Sequence, residues 1–168
     1  MDIDARLGRL RKLMRERNLS AYIIPTEDFH GSEYVGEYFK AREYMSGFTG
    51  SAGTLVVLPD QAALWTDGRY FIQAAQQLAG SSIALMRMGQ PGVPALEEYL
   101  NDMLAEGSVV GFDGRTLSQR FVHKIAQKTA AKKISFAGGE DLVDMVWIGR
   151  PPMSAKPVWE ISTDYTGR

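Results

Sequence analysis

Residues 47–66 read GFTGSAGTLVVLPDQAALWT, and the fold turns on whether these glycines cradle an anion or serve a strand. A phosphate cradle aims successive backbone N–H groups and a helix N-terminus at its ligand. Here Gly47, Gly50 and Gly53 lead into a β-branched, leucine-rich run over 54–58 that stops at Pro59-Asp60, the pattern of a strand followed by a turn. No helix follows to supply a dipole. The Gly-x-x-Gly-x-x-Gly spacing matches neither the dinucleotide fingerprint nor a Walker loop, and no Lys-Ser/Thr pair follows it. The glycines therefore read as a tight passage where backbones run close together. A second apolar run, 62–66, lies beyond Pro59-Asp60-Gln61, so the two runs form an antiparallel hairpin.

Outward from the hairpin, strand and helix signals alternate. Ile3, Leu7, Leu10 and Met14 recur at steps of four, three and four, which predicts an amphipathic helix over 3–17. A short buried strand follows over 21–25. Residues 26–45 are polar and aromatic without a strong period, with room for one helical piece. After the hairpin, Asp67 is placed to cap a helix that turns Phe71, Ala74, Ala75 and Leu78 inward and ends at Gly80. A strand over 83–88 and a helix over 94–104 come next, the latter opened by Pro94 and stopped by Gly107. A strand over 108–112 leads to a helix with Thr116 and Gln119 as its capping box, burying Leu117, Phe121, Ile125 and Ala126. A strand over 132–136 and a helix over 141–147 complete the set. This order predicts an α/β fold of three α/β/α layers around a mixed sheet. Residues 149–168, with three prolines among polar spacing after Arg150, read as a linker leaving a domain that spans 1–148.

Composition narrows the function. A length of 168 residues with 45% apolar content holds one domain with a real core. Nineteen basic and twenty acidic residues leave a net charge of -1, which disfavours nucleic acid and anionic membranes and leaves small molecules, peptides or proteins as partners. The absence of cysteine excludes disulfides, thiolate zinc sites and thiol nucleophiles. The charged N-terminus lacks the apolar core of a signal peptide, and the expectation is a soluble, cytoplasmic protein.

Candidate chemistry is sparse. His30 lies among Glu27, Asp28 and Glu33, but no His-x-x-x-His or Asp-x-Asp pattern organises them, and solvated loop carboxylates are the simpler reading. His123 falls within a helix and reads as a surface residue. Ser46 and Ser51 flank glycines without a Gly-x-Ser-x-Gly elbow. The segment WTDGRYF, 65–71, mixes aromatic, acid and base at a strand end, where open α/β sheets bind ligands. No self-sufficient active site emerges from these residues.

Together, AYIIPTEDFHGSEY, SGFTGSAGTLVVL, ALWTDGRYFIQAAQQ, EGSVVGFDGRTLS and DLVDMVWIGRPP strongly resemble, in order and over essentially the whole chain, the N-terminal domain of the long, three-domain Xaa-Pro aminopeptidases. The wider group is the creatinase and prolidase N-terminal domain, with its ribonuclease H-like motif. The resemblance implies a second domain of related fold and a C-terminal catalytic domain that removes a residue preceding proline. It also implies that two metal ions, commonly manganese, sit in that catalytic domain, held by aspartates, a histidine and glutamates that have no counterpart here. The chain itself is accordingly expected to be non-catalytic and to hold no metal or cofactor. Its expected partners are the catalytic domain of the same polypeptide, peptides with proline in second position, and a second subunit in a homodimer. Arg42, Phe48, Trp65 and Arg69 are the residues expected at the interdomain contact or substrate entrance, with Gly50, Ala52 and Gly53 allowing close backbone approach. The alternative is a free-standing, non-enzymatic peptide- or protein-binding module of the same fold.

Overall fold

The computed structural model describes residues 2–166. Six strands form one mixed sheet: β1 Ala21–Pro25, β2 Thr54–Val57, β3 Ala62–Thr66, β4 Ile83–Arg87, β5 Val109–Asp113 and β6 Ser135–Gly139, in the spatial order β4-β3-β2-β1-β5-β6. Both partners of β2 run antiparallel to it, with Thr54 opposite Pro25 on one side and Trp65 on the other. The remaining pairs are parallel, so five strands point one way and β2 alone returns. The glycine stretch thus crosses the end of the sheet where β1, β3 and β5 finish.

Strand alternation divides the core between two faces. On one face Tyr22, Ile24, Leu55, Val57, Ala62 and Leu64 pack beneath α1 Ile3–Glu16, α2 Ala41–Ser46, α3 Phe71–Gln77 and α6 Leu142–Val146. On the other, Ala21, Ile23, Val56, Ala63, Trp65, Val110 and Phe112 pack under α4 Leu96–Met103 and α5 Gln119–Thr129. This is the three-layer architecture that the alternation predicts. The α1 stripe holds as read: Leu7, Leu10 and Met14 are buried, and the Asp2 carboxylate accepts the Ala5 N–H at 2.7 Å as N-cap.

Four local expectations need correction. Ala75 is exposed, because α3 lasts only seven residues and turns Ala74 and Leu78 inward. Ser118 rather than Thr116 caps α5, accepting the Phe121 N–H at 3.2 Å, while the Thr116 hydroxyl donates to the Asp113 carbonyl at 3.0 Å. Among the apolar residues of α5 only Ile125 is fully buried; Leu117, Phe121 and Ala126 are half-buried. Finally, β6 begins at Ser135 rather than 132. Lys133 turns at φ 52°, and the Lys132 ammonium donates to the carbonyls of Asn101 and Leu104 at the end of α4.

From Pro152 the described residues are exposed and without regular secondary structure as far as α7, the short helix Thr163–Thr166. Among the described residues no helix is long and apolar enough to cross a membrane.

Candidate functional site at the strand ends

The glycine stretch is held from beneath by one side chain. Arg42, on α2, is only 3% exposed. Its Nε donates to the Thr26 hydroxyl at 2.9 Å, and its two Nη groups donate to the carbonyls of Phe48 and Gly50. The guanidinium also lies 4.7 Å from the centre of the Phe48 ring, a cation–π contact. Burial pushes the Arg42 pKa down to about 10, far enough above neutrality to keep the charge. Thr26 completes the anchor: its N–H and hydroxyl both donate to the Gly53 carbonyl, at 2.9 and 3.0 Å.

Glycine is required here by space. A Cβ on Gly50 would sit 2.3 Å from the Phe48 ring and 2.8 Å from Tyr70, and one on Gly53 would lie 3.1 Å from the Trp65 carbonyl oxygen. Close approach is thus the geometric reason for the small residues.

Two Asp-Gly-Arg triplets frame this end of the sheet. After β3, Asp67 accepts from the Arg69 N–H at 3.0 Å, from Nε at 2.9 Å and from Nη2 at 2.9 Å. At the end of β5, Asp113 and Arg115 repeat the arrangement at 3.0, 3.0 and 2.9 Å. The bidentate pairing holds the Asp67 carboxyl below its usual range and raises both guanidinium pKa values.

The second triplet belongs to a larger network. Arg115 also donates to Asp141 at 2.9 Å and to the Tyr38 hydroxyl at 3.2 Å. Arg150 donates to Asp141 at 2.5 Å, to Asp144 at 3.2 Å and to the Tyr38 carbonyl at 2.8 Å, with its guanidinium 4.0 Å from the Tyr38 ring centre. The point where the chain leaves the sheet is therefore tied to the 26–40 loop.

Between that loop and the glycine stretch runs a groove. One lobe, of about 320 Å³, is lined by Glu33, Tyr34, Val35, Phe39, Glu43 and Gly50 among others. A second of about 320 Å³ continues past Ser32, Ser51 and Gly53 to Arg69. Thr26, Glu33 and Ser51 border both lobes.

Of the residues expected at a contact, Arg69 alone presents its side chain to solvent, with 62% of it exposed. Arg42, Phe48 and Trp65 are 3%, 0% and 3% exposed. Phe48 fills the core under the loop, and Trp65 donates to the Pro94 carbonyl at 3.0 Å and meets Tyr99 edge-on. Arg42 lines the first lobe of the groove despite its burial, whereas Phe48 and Trp65 pack in the two core layers and line neither lobe. Sequence reasoning missed Tyr38, Asp141, Arg115 and Arg150, although the repeated Asp-Gly-Arg triplet was a visible signal. Among the described residues no three His, Asp or Glu side chains gather as metal ligands. Asp28, the neighbour of His30, instead accepts the N–H groups of His30 and Ser32 at 2.9 and 3.0 Å.

The comparisons with known proteins bear on this geometry. The creatinase/prolidase N-terminal domain family matches residues 6–146. Aminopeptidase P2 of Arabidopsis thaliana is 46% identical over 149 residues, covering 86% of this chain and 21% of the plant protein. A probable Xaa-Pro aminopeptidase P of Neurospora crassa is 44% identical over 168 residues, covering 97% of this chain and 24% of the fungal one. The crystal structure of an X-prolyl aminopeptidase from Caenorhabditis elegans, described as a cytosolic enzyme with a di-nuclear active site, superposes with a TM-score of 0.89 at 33% identity, over 98% of this chain and 28% of the worm protein. The N-terminal domain of the cytoplasmic peptidase PepQ from Mycobacterium tuberculosis H37Rv superposes with a TM-score of 0.61 at 26% identity, over 85% of this chain and 98% of that domain. The chain thus spans about a quarter of the length of the curated relatives it matches.

Proposed function

Because this chain belongs to the creatinase/prolidase N-terminal domain family, we propose that it is the non-catalytic first domain of a metal-dependent Xaa-Pro aminopeptidase. In this reading residues 1–148 form the domain and residues 149–168 lead towards a second domain, with Arg150 at their start anchored back onto the first through Asp141 and Tyr38. The metal ions, manganese in our reading, belong to a catalytic domain further along the polypeptide. The residues present do not fit a dinuclear centre, since the carboxylates of Asp67, Asp113 and Asp141 are bound to arginines and the Asp28 turn bonds its own backbone. The single observation that carries the proposal is the superposition of 98% of this chain on 28% of a longer X-prolyl aminopeptidase.

The domain's role is to shape the approach to the catalytic centre. Arg69 and the groove between residues 26–40 and 49–54 form the face turned towards the catalytic domain, with Arg42 lining it and Phe48 and Trp65 supporting it from the core layers. Contact with a second subunit and a cytosolic location complete the reading. The test is an assay of amino-acid release from Xaa-Pro peptides in the presence of manganese. The polypeptide extended through the remaining three quarters of its relatives' length should turn over substrate. Residues 1–168 alone should not, and turnover by them would overturn the non-catalytic assignment.

A further inference from the structure

The outer edge of β6 lacks the features that keep sheet edges apart. β6 is the last strand of the sheet, and its Ser135 N–H donates to the Ser108 carbonyl at 3.0 Å. Alternation in a parallel ladder therefore turns the backbone groups of Ala137 and Gly139 towards β5 and those of Phe136 and Gly138 outward. Soluble proteins commonly blunt such an edge with lysine, proline or a bulge. The run Ser135–Gly139 carries no charge and no proline, and all five residues pair in regular register with β5. The two lysines before it are occupied, Lys132 by the carbonyls of Asn101 and Leu104 and Lys133 by Glu106 at 2.6 Å. Between this strand and α5 lies a concavity of about 650 Å³, lined by Phe112, Leu117, Val122 and Ala126 with Gly138 at its border. Val122 and Ala126 are only half-buried, so the apolar face of α5 is wider than six strands can cover.

Charge selects what could cover it. Arg120 lines the concavity, is exposed, and its side chain makes no ion pair or hydrogen bond among the described residues. No carboxylate lines the concavity, and those nearby are committed elsewhere: Glu97 to Lys124 at 2.7 Å, Asp113 to Arg115 at 2.9 Å and Glu140 to Arg17. His123 is engaged by the Gln127 amide at 2.9 Å. An apolar depression with an unpaired cation at its rim complements apolar side chains followed by a carboxylate. A second copy of β6 does not bring this, since two-fold antiparallel pairing would carry Arg120 towards the Lys132-Lys133 turn of the other copy, cation against cation. We propose that β6 accepts a seventh strand, an extended segment of a partner protein whose apolar side chains enter the concavity beside α5 and whose carboxylate side chain meets Arg120. The outward N–H and C=O groups of Phe136 and Gly138 supply the pairing, and the alternating side chains supply the selection. The site shares no lining residue with the groove at the strand ends and does not depend on the role proposed for that groove.

The test is an NMR titration of the ¹⁵N-labelled chain with N-acetylated, C-amidated Thr-Val-Thr-Val-Thr-Glu-Thr, in which two valines and the glutamate share one face, and with the same peptide carrying Gln for Glu. Saturable shifts are expected along residues 135–139 and at Val122, His123 and Ala126. Amide exchange should slow at Phe136 and Gly138, whose N–H groups face outward, while Ala137, already bonded to β5, changes little. The Gln peptide should bind about threefold more weakly, the effect of one exposed ion pair. Arg120→Gln, at an exposed side chain, should bind the two peptides equally. Absence of the shifts, shifts without slowed exchange at Phe136 and Gly138, equal affinity of the unaltered chain for the two peptides, or a preference for Glu that survives Arg120→Gln would each overturn the assignment. Concentration-dependent shifts at 135–139 without any peptide would make a second copy the occupant and equally overturn it.

Discussion

Arg42 shows how one buried charge can organise a loop. Its three donors meet the Thr26 hydroxyl just after β1 and two carbonyls of the glycine stretch, and removing it leaves the Phe48 and Gly50 carbonyls unpaired beneath the groove. Arg42→Met, of similar length, should cost about 3 kcal/mol in urea denaturation; a loss below about 1 kcal/mol would show that the loop holds itself. Space sets the next constraint. Gly50→Ala forces a methyl against the Phe48 and Tyr70 rings and should destabilise by about 2 kcal/mol, whereas Gly8→Ala, on the open face of α1 with nothing within 4 Å, should stabilise by about 0.5–1 kcal/mol. Tyr22 supplies a pH signature. Its buried hydroxyl donates to the Glu140 carbonyl at 2.7 Å and accepts the Leu142 N–H at 3.1 Å, and burial raises its pKa above the ordinary 10.0. A raised native pKa means that the folded state keeps its proton longer than the unfolded chain. The contribution is therefore complete below pH 10 and is lost progressively as pH rises above it. Tyr22→Phe should be less stable at neutral pH and show a shallower fall above pH 10; parallel curves for the two proteins would remove Tyr22 as the source.

At the scale of elements, what was legible in the sequence and what was not have physical causes. The α1 stripe and the β2–β3 hairpin could be read because periodicity and turn chemistry are local. The bounds of β6 could not. Gly138 and Gly139 resemble a loop, yet Gly138 is in the strand because its absent side chain leaves room for the Phe112 ring, 2.7 Å from where a Cβ would stand, and Phe112 lies 26 residues earlier. The cap of α5 was ambiguous because Thr116 and Ser118 both carry hydroxyls, and the carbonyl of Asp113 decides between them. The contour of the site was legible only as a motif: no local rule shows that Arg42 and Trp65 turn inward, or that Arg115 and Arg150 meet over Asp141. That meeting joins β5, α6, the 26–40 loop and the chain exit. Arg150→Gln should accelerate amide hydrogen exchange over both 28–39 and 148–152 while β1 to β3 stay protected. Faster exchange in only one of the two segments would show that they are not mechanically joined.

For the molecule as a whole, the two apolar layers close around the sheet without help from the last residues. From 152 to 166 every described side chain is exposed, and the hydrogen bonds there are short-range, such as the Ser162 hydroxyl to Asp164 at 3.1 Å and the Lys156 N–H to Ser154 at 3.4 Å. Val158, Trp159 and Ile161 join neither core layer and remain 101%, 73% and 45% exposed, so at about 25 cal/mol per Å² they add little to this fold. Arg150, by contrast, is an integral part: its side chain is 5% exposed within the Asp141 network. The boundary of folding stability should accordingly fall just after Arg150. A chain ending at Pro152 should unfold within about 0.5 kcal/mol of the full chain and with the same denaturant slope, because no surface of the core is uncovered. A chain ending at Ile148 should lose about 2 kcal/mol or more, since Asp141 and Asp144 forfeit a buried partner while Tyr38 loses the group beneath its ring. If the Pro152 truncation instead lowered stability as much as the Ile148 one, residues 153–166 would have to dock on the domain in solution.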